Sequence, residues 1–432
     1  MARSNLPLLA GLLLAGAAGG LAAQFDRDLP AFVIVAFVQG AVWAVAAALV
    51  LRGRDRQPRL VLILGTALLL RLIALAAPVF LSDDINRYIW DGRVQAAGLS
   101  PYTEPPNSPT LASLRDPVIY PRLNHLDWRT IYPPGAQLVF ALLASLAPSS
   151  VLAFKSLVVA ADLATALVLS AWLGALGRPQ AWVLIYAWHP LVVIELAGSG
   201  HLDALALLAS VAALWAATRG REAWAGIWIG LGALVKLYPL LLLPALVGRR
   251  ASRVVGACAI VVAAGYLCYA RAGWAVVGSL PRFVAQEQFN GTLRTLLEWV
   301  LVPLGEPGRV AARLIPLLAL SGLAVGLAWR GRTIPPWQRA AWLVGAYCLT
   351  TPSLFPWYVL WLVPLLAVEL RWPWLWLTGA VALTYLVFAE PLWRMPPWVP
   401  AVEFIPLAAG LAWAPAGRLY GKRDDAALEA VG

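Results

Sequence analysis

Apolar residues run almost unbroken through stretches of about 20 residues, separated by short polar loops, along most of the chain. A stretch of that length crosses a bilayer as a helix, because only helices and closed barrels satisfy their own backbone polar groups in lipid. The Leu, Ala and Val runs are too long and too continuous for the alternating strands of a barrel. The pattern therefore predicts an all-α polytopic membrane protein. Segments are expected near 6–23, 30–51 and 59–80, then 135–148, 151–174, 181–197, 201–218 and 224–247. Further segments follow near 254–270, 309–329, 337–350, 357–369, 373–390 and 401–414. Of these fourteen candidates, about 11 to 13 are expected to be transmembrane segments.

Two polar excursions interrupt the apolar runs, one over residues 82–133 and one over 271–308. Loops longer than about 15 residues in a compact protein are usually functional or disordered, and the first is rich in Trp, Tyr and Pro. Aromatic residues at that depth suit the membrane interface, which predicts one or two short interfacial helices there. The run 135–148 is short for a full span. "GALVKLYPLLLLP" is expected to break at Lys236 and Pro239, which lipid tolerates mainly where protein or a water-filled cavity covers the freed backbone.

Composition agrees with this class: 61% of the 432 residues are hydrophobic and 13% charged, with mean hydropathy +0.74. A net charge of +11 raises the question of nucleic acid, but the basic residues sit in short loops between apolar runs. They cluster at Arg52, Arg54, Arg56 and Arg59, at Arg219 and Arg221, at Arg249, Arg250 and Arg253, at Arg330 and Arg332, and at Arg418, Lys422 and Arg423. Basic loops mark the cytoplasmic face of inner-membrane proteins, so these clusters orient the chain and no nucleic-acid partner is expected. Both excursions then lie outside and the C-terminus inside, while parity between residues 135 and 219 stays open. "LPLLAGLLLAGAAGGLAAQ" reads either as a first helix, the preferred reading, or as a cleaved signal peptide, and residue 25 ends outside in both cases. The chain divides into an N-terminal hairpin (1–58), a main membrane domain (59–415) and a cytoplasmic tail (416–432). Cys258, Cys268 and Cys348 lie in apolar segments without metal-ligand spacing, and imply neither a disulfide framework nor zinc.

The chemistry gathers at "LSDDINRYIWDGR", directly after a greasy run. In a helix, Asp84, Arg87, Tyr88 and Asp91 share one face, while Asp83 points toward Asn86 and Arg87. Acidic residues at a helix start also serve simply as caps that favour the dipole. Paired aspartates can bind a divalent cation, but two ligands are too few to argue one, and neither metal nor cofactor is expected.

Five stretches in order carry a resemblance: "SDDINRYIWDGRVQAAGLSPY", "IYPPGAQLVFALLA", "GSGHLDALALLA", "GLGALVKLYPLLLLPAL" and "PSLFPWYVLWLVPLLA". They resemble the polyprenyl-phosphate-sugar-dependent glycosyltransferases of the GT-C superfamily, especially the bacterial mannosyltransferases, over residues 60 to 370 or so. The resemblance implies a GT-C-like fold in the bacterial inner membrane, with an acidic catalytic residue in the first large outer loop, here Asp84 or Asp83. It implies a polyprenyl-phosphate sugar as donor, mannose being the leading candidate, and a glycolipid, glycan or protein as acceptor. A carboxylate that takes the acceptor's proton, with direct displacement at an oxocarbenium-like centre, inverts configuration.

Fixed cations should then meet the leaving phosphate, with Arg87, His201, Lys236, Arg282 and Arg294 as candidates. Each has a plainer alternative. His201 and Asp203 also suit the opening of a helix after a Gly-rich turn, and Lys236 either faces a cavity or snorkels. Arg282, Asn290 and Arg294 equally suit a solvated amphipathic helix. His125, Trp128 and Tyr132 either bind sugar or anchor the interface. Tyr88, Asp91, Tyr238, Trp357 and Tyr358 complete the candidate substrate-binding set, and His189 is expected to be a packed structural residue. Relatives often carry histidine before "PWY" where this chain has Phe355, so another group must serve the phosphate, Tyr358 or His201 being the obvious ones. A lipid flippase or transporter would also be polytopic with intramembrane charges, but it has no special need of a long outer loop headed by paired aspartates. A non-catalytic scaffold would tolerate neutral replacement of both.

Overall fold

A computed structural model describes residues 5–52, 60–247, 251–329, 333–389 and 394–413. The predicted tail 416–432 and the basic residues at 54, 56, 59, 249, 250, 330, 332, 418, 422 and 423 lie outside them. Among the described residues the fold is helical throughout, with no strand and only isolated bridge pairing of Phe289 and Asn290 with Ser353.

Two helices, α1 (Leu6–Phe25) and α2 (Leu29–Leu51), form the expected N-terminal hairpin. The sharp turn between them is closed by Asp28, whose side chain accepts from the amide of Ala31 at 3.0 Å, with Pro30 in the first turn of α2. Then come α3 (Leu60–Leu75), α4 (Asp84–Ala96), α5 (Pro134–Leu146) and α6 (Val151–Ala175). The helical pieces α7 (Gln180–Ala187) and α8 (Pro190–Gly198) meet at 59°. After them run α9 (Asp203–Thr218), α10 (Glu222–Ala233), α11 (Ala251–Leu267) and α12 (Leu293–Leu301). The last are α13 (Glu306–Trp329), α14 (Pro336–Thr350), α15 (Pro356–Val368), α16 (Trp372–Ala389) and α17 (Trp398–Trp413).

Among the described residues, five helices are long and apolar enough to span a bilayer by themselves, and up to seven if each sharply bent pair counts as one span. That is fewer than predicted, because five more apolar helices run only 10–17 residues. Large apolar side chains such as Ile34, Ile260 and Leu318 point outward, where lipid is the solvent that accepts them. Helices pack closely through small residues: a Cβ on Gly226 would collide with the carbonyl of Val254, and one on Gly92 with that of Phe140.

Three local devices place the site. Lys155 of α6 donates to the carbonyls of Ala74, Leu75 and Ala77 at 3.1, 2.9 and 2.8 Å, capping α3 and fixing the exit toward Asp83 and Asp84. At the α7–α8 bend, the amide of Leu191 is taken by Nδ1 of His189 at 3.2 Å. Arg71 of α3 donates instead to the carbonyl of Ala187 and pairs with Asp162 of α6 at 2.8 Å. His189 is thus structural, as expected, with Nε2 3.0 Å from the Thr378 hydroxyl. The third device is the predicted break at Lys236. α10 stops at Ala233, and the carbonyl of Leu234 accepts from the amide of Ala136 at the start of α5, at 2.9 Å.

Candidate active site

The expected helix at the start of the first excursion forms as α4, and its polar face is locked to the end of that excursion. Arg87 donates through Nε to Asp91 at 2.8 Å and through Nη2 to the carbonyl of Trp128 at 2.9 Å. Asp91 also accepts from Gln137 at 2.8 Å, and Gln137 reaches the hydroxyl of Thr130 at the same distance. Tyr88 is buried, stacked on Phe140 with ring centres 4.9 Å apart and edge-on to Tyr132. The lower half of this face therefore holds the helix in place.

Its upper end opens on a cavity of about 1230 Å³ lined by Asp83, Asp84, Arg87, Tyr132, Lys236 and Tyr238, with Trp357 and Tyr358 opposite. The second excursion folds over the first at the rim. Arg282 pairs with Asp127 at 2.7 Å and lies 4.7 Å above the ring of Trp128, and His125 approaches Glu287 at 3.1 Å. His125, Trp128, Glu287 and Phe289 line the cavity, as does Phe355.

The two aspartates differ in surroundings. Asp83 is exposed on the rim, and partial burial with the neighbouring Asp84 charge holds its pKa up. Asp84 lies behind it; burial alone would raise its pKa, but His201, Lys236 and Tyr132 together outweigh that and lower it. His201 itself is fully buried, with Nδ1 3.6 Å from Asp84 and Nε2 3.1 Å from Glu195. Neither contact has straight hydrogen-bond geometry, so each is a charge contact when the imidazole is protonated. The turn that delivers His201 needs Gly200, whose φ of +77° is unfavourable for other residues and whose missing Cβ leaves room for Ile85 of α4.

Lys236 bonds to Asp203 at the N-terminus of α9, and Asp203 also accepts from Trp361 Nε1 at 3.2 Å. Tyr238 stacks on Trp361 at 3.6 Å, and Lys236 lies 6.0 Å from the ring of Tyr358. On the other flank Phe289, Phe355, Trp357 and His201 form one continuous ring stack, with centres 4.7, 4.6 and 4.1 Å apart. Phe355 is built into that stack by its ring alone.

Of the predicted set, the cavity brings together Asp83, Asp84, Arg87, Tyr132, Lys236, Tyr238, Trp357 and Tyr358. Tyr88, Asp91, His201 and Asp203 stand behind its wall and hold residues that line it. Arg282, Asn290 and Arg294 are not on its lining: Asn290 donates to Glu403 at 2.6 Å, and Arg294 pairs with Glu298 at 2.9 Å within α12. Sequence reasoning missed Glu195, Trp361 and Tyr385. Glu195 had a signal, a lone carboxylate inside "LVVIELAG", where ionisable residues are expensive and usually functional. Trp361 and Tyr385 had none, since aromatics in apolar runs are ordinary core.

A search of curated proteins and one of solved structures find no match. The sequence model of glycosyltransferase family 87 matches residues 130–352, just over half of the chain, from the end of the first excursion through Lys236 to the residues before "SLFPWY". With that match over its central helices, the chain belongs to glycosyltransferase family 87.

Proposed function

We propose that the protein moves a hexose, mannose being the leading candidate, from a polyprenyl-phosphate donor to a hydroxyl of a glycolipid, glycan or protein acceptor, with inversion, at the outer face of the bacterial inner membrane. The supporting observation is the pairing of Asp84 and Lys236 across one aromatic-walled cavity reached from both excursions. Asp84 takes the acceptor's proton as the new C–O bond forms at the anomeric carbon. The bond from that carbon to the phosphate oxygen breaks with its electron pair, giving polyprenyl phosphate. Lys236, kept in place by Asp203, meets the charge growing on the leaving oxygen. Arg87 is occupied by Asp91 and the Trp128 carbonyl and serves to shape the rim. In this reading Lys236, rather than Tyr358 or His201, meets the phosphate in a chain that has Phe355 before "PWY", and the transfer needs no metal.

Asp84 is favoured over Asp83 because its carboxylate is pinned and kept ionised by fixed cations. Transfer of radiolabelled sugar from a panel of short-chain polyprenyl-phosphate sugars, in membranes carrying each protein, tests this. Asp84→Asn should lose about 100-fold or more in rate, the range of one positioned general base, while Asp83→Asn loses far less. Equal labelling by all three proteins would remove the base from this motif.

A further inference from the structure

The contact of His201 with Asp84 is one end of a longer row of buried charge. Glu195 faces the ring nitrogen of His201 that Asp84 does not, and the hydroxyl of Tyr385 in α16, a residue that lines the cavity, donates to the other oxygen of Glu195. Glu195 and His201 are also joined through the backbone, the amide of His201 bonding to the Glu195 carbonyl at 3.1 Å. That link follows from the wide helical turn over Val193–Gly198, which brings a carboxylate and an imidazole six residues apart to one point. The ring of His201 lies flat on Trp357 at 4.1 Å, so its plane is fixed on a third side.

We infer that His201 is a positioning residue held as an imidazolium between Asp84 and Glu195, and that Glu195 and Tyr385 keep that charge available so that Asp84 stays ionised and aimed at the acceptor. The inference rests on the assignment of Asp84 as base. The row Asp84, His201, Glu195 carries two negative charges and one positive before transfer. When Asp84 takes the acceptor proton the row becomes neutral, and the imidazolium keeps its proton throughout. A histidine buried without partners would be neutral, since desolvation disfavours its cation, and two carboxylates on opposite sides reverse that balance. The result is a pKa of about 9 in spite of burial. The other charged or titratable groups near the row are Asp83 and Lys236 beside Asp84, Tyr132 and Tyr88 from the first excursion and α4, Tyr358 from α15, Tyr385 beyond Glu195, and Asp203 behind Lys236.

Three measurements on the full-length protein in lipid test this. In the first, the pH profile of kcat is compared for wild type and His201→Gln. Without the imidazolium, burial raises Asp84, so the acid limb should move up by about one pH unit or more, activity recovering toward high pH while KM for the donor stays put. In the second, Glu195→Gln should bring in a basic limb between roughly pH 6.5 and 9, as His201 loses a partner and titrates earlier. In the third, [15N]histidine NMR of the wild type reads His201 directly, because the chain has only three histidines. It should titrate near 9 in wild type and lower in Asp84→Asn.

A uniform loss of rate in His201→Gln with the acid limb unmoved would overturn the inference and leave Asp84 as base. So would a wild-type His201 that is neutral at pH 7. Full activity in Asp84→Asn would overturn the base assignment and the inference with it. If His201→Gln fails to accumulate, Glu195→Gln and the wild-type NMR titration decide.

Discussion

Lys236 shows how a charge inside an apolar run is kept usable. Its ammonium is mostly buried, and its partner Asp203 is completely so. Replacing Lys236 alone would strand a buried carboxylate, a cost of about 3–5 kcal/mol that reports on folding more than on function. The informative variant therefore changes both, Lys236→Met with Asp203→Asn. The amide keeps the bond from Trp361, so the Tyr238 stack is preserved. If Lys236 meets the donor phosphate, the double variant should fold yet lose roughly 10- to 100-fold in kcat/KM for the lipid-linked sugar, the worth of a charged hydrogen bond. Steady-state transfer assays at varied donor concentration check this, and unchanged kcat/KM would assign Lys236 to structure alone. Phe355 has the opposite history. From the sequence it looks like a missing phosphate ligand, but its ring sits between Phe289 and Trp357, so it stiffens the wall against which His201 stacks.

Helix ends, more than helix faces, build this protein. The bend between α7 and α8, the wide turn before Gly200 and the break after Ala233 each release backbone groups, and each is answered by a named partner. Arg71 is the clearest, since it fills the carbonyl of Ala187 and also neutralises Asp162, to which Tyr186 donates at 2.6 Å. Arg71→Met should lower stability by about 3–5 kcal/mol by leaving Asp162 alone in a dry site, and a second change, Asp162→Leu, should restore part of it. Thermal unfolding in detergent of the single and double variants measures this, and a milder double than single is the required sign. The helix positions themselves were legible, because apolar length decides them: α1 and α2 start and end within two residues of the predicted segments. The bends were less so. Lys236 and Pro239 announced one, whereas "AWHPLVVIELAG" hid a sharp bend and a wide turn, since apolar periodicity says nothing of where a backbone amide finds its partner.

The cavity is a product of the whole chain, which explains why only part of it could be read from local patterns. Asp84, Lys236 and "PWY" stood out as polar or aromatic groups at odd places, but Glu195 and Tyr385 meet only when α8 and α16 pack together. The charged row at the site therefore joins α4, the α8–α9 turn and α16, and its protonation should be felt by the fold. The direction follows from His201, whose pKa rises from an ordinary 6.5 to about 9 on folding. A group raised in this way contributes its stabilisation in full below the unfolded value, and loses it as pH climbs through the folded one. Relative to His201→Gln, which shares its other titrating groups, the wild type should thus lose stability as pH climbs from about 6.5 through about 9, where His201 is neutral and no cation stands between Asp84 and Glu195. His201→Gln should start lower and show little of that slope. Unfolding followed across this range, with other buffer conditions constant, checks it. A wild-type profile parallel to that of His201→Gln would mean that the imidazolium is no more stable in the folded protein than in water, and the charged row would then have to be rebuilt around a neutral ring.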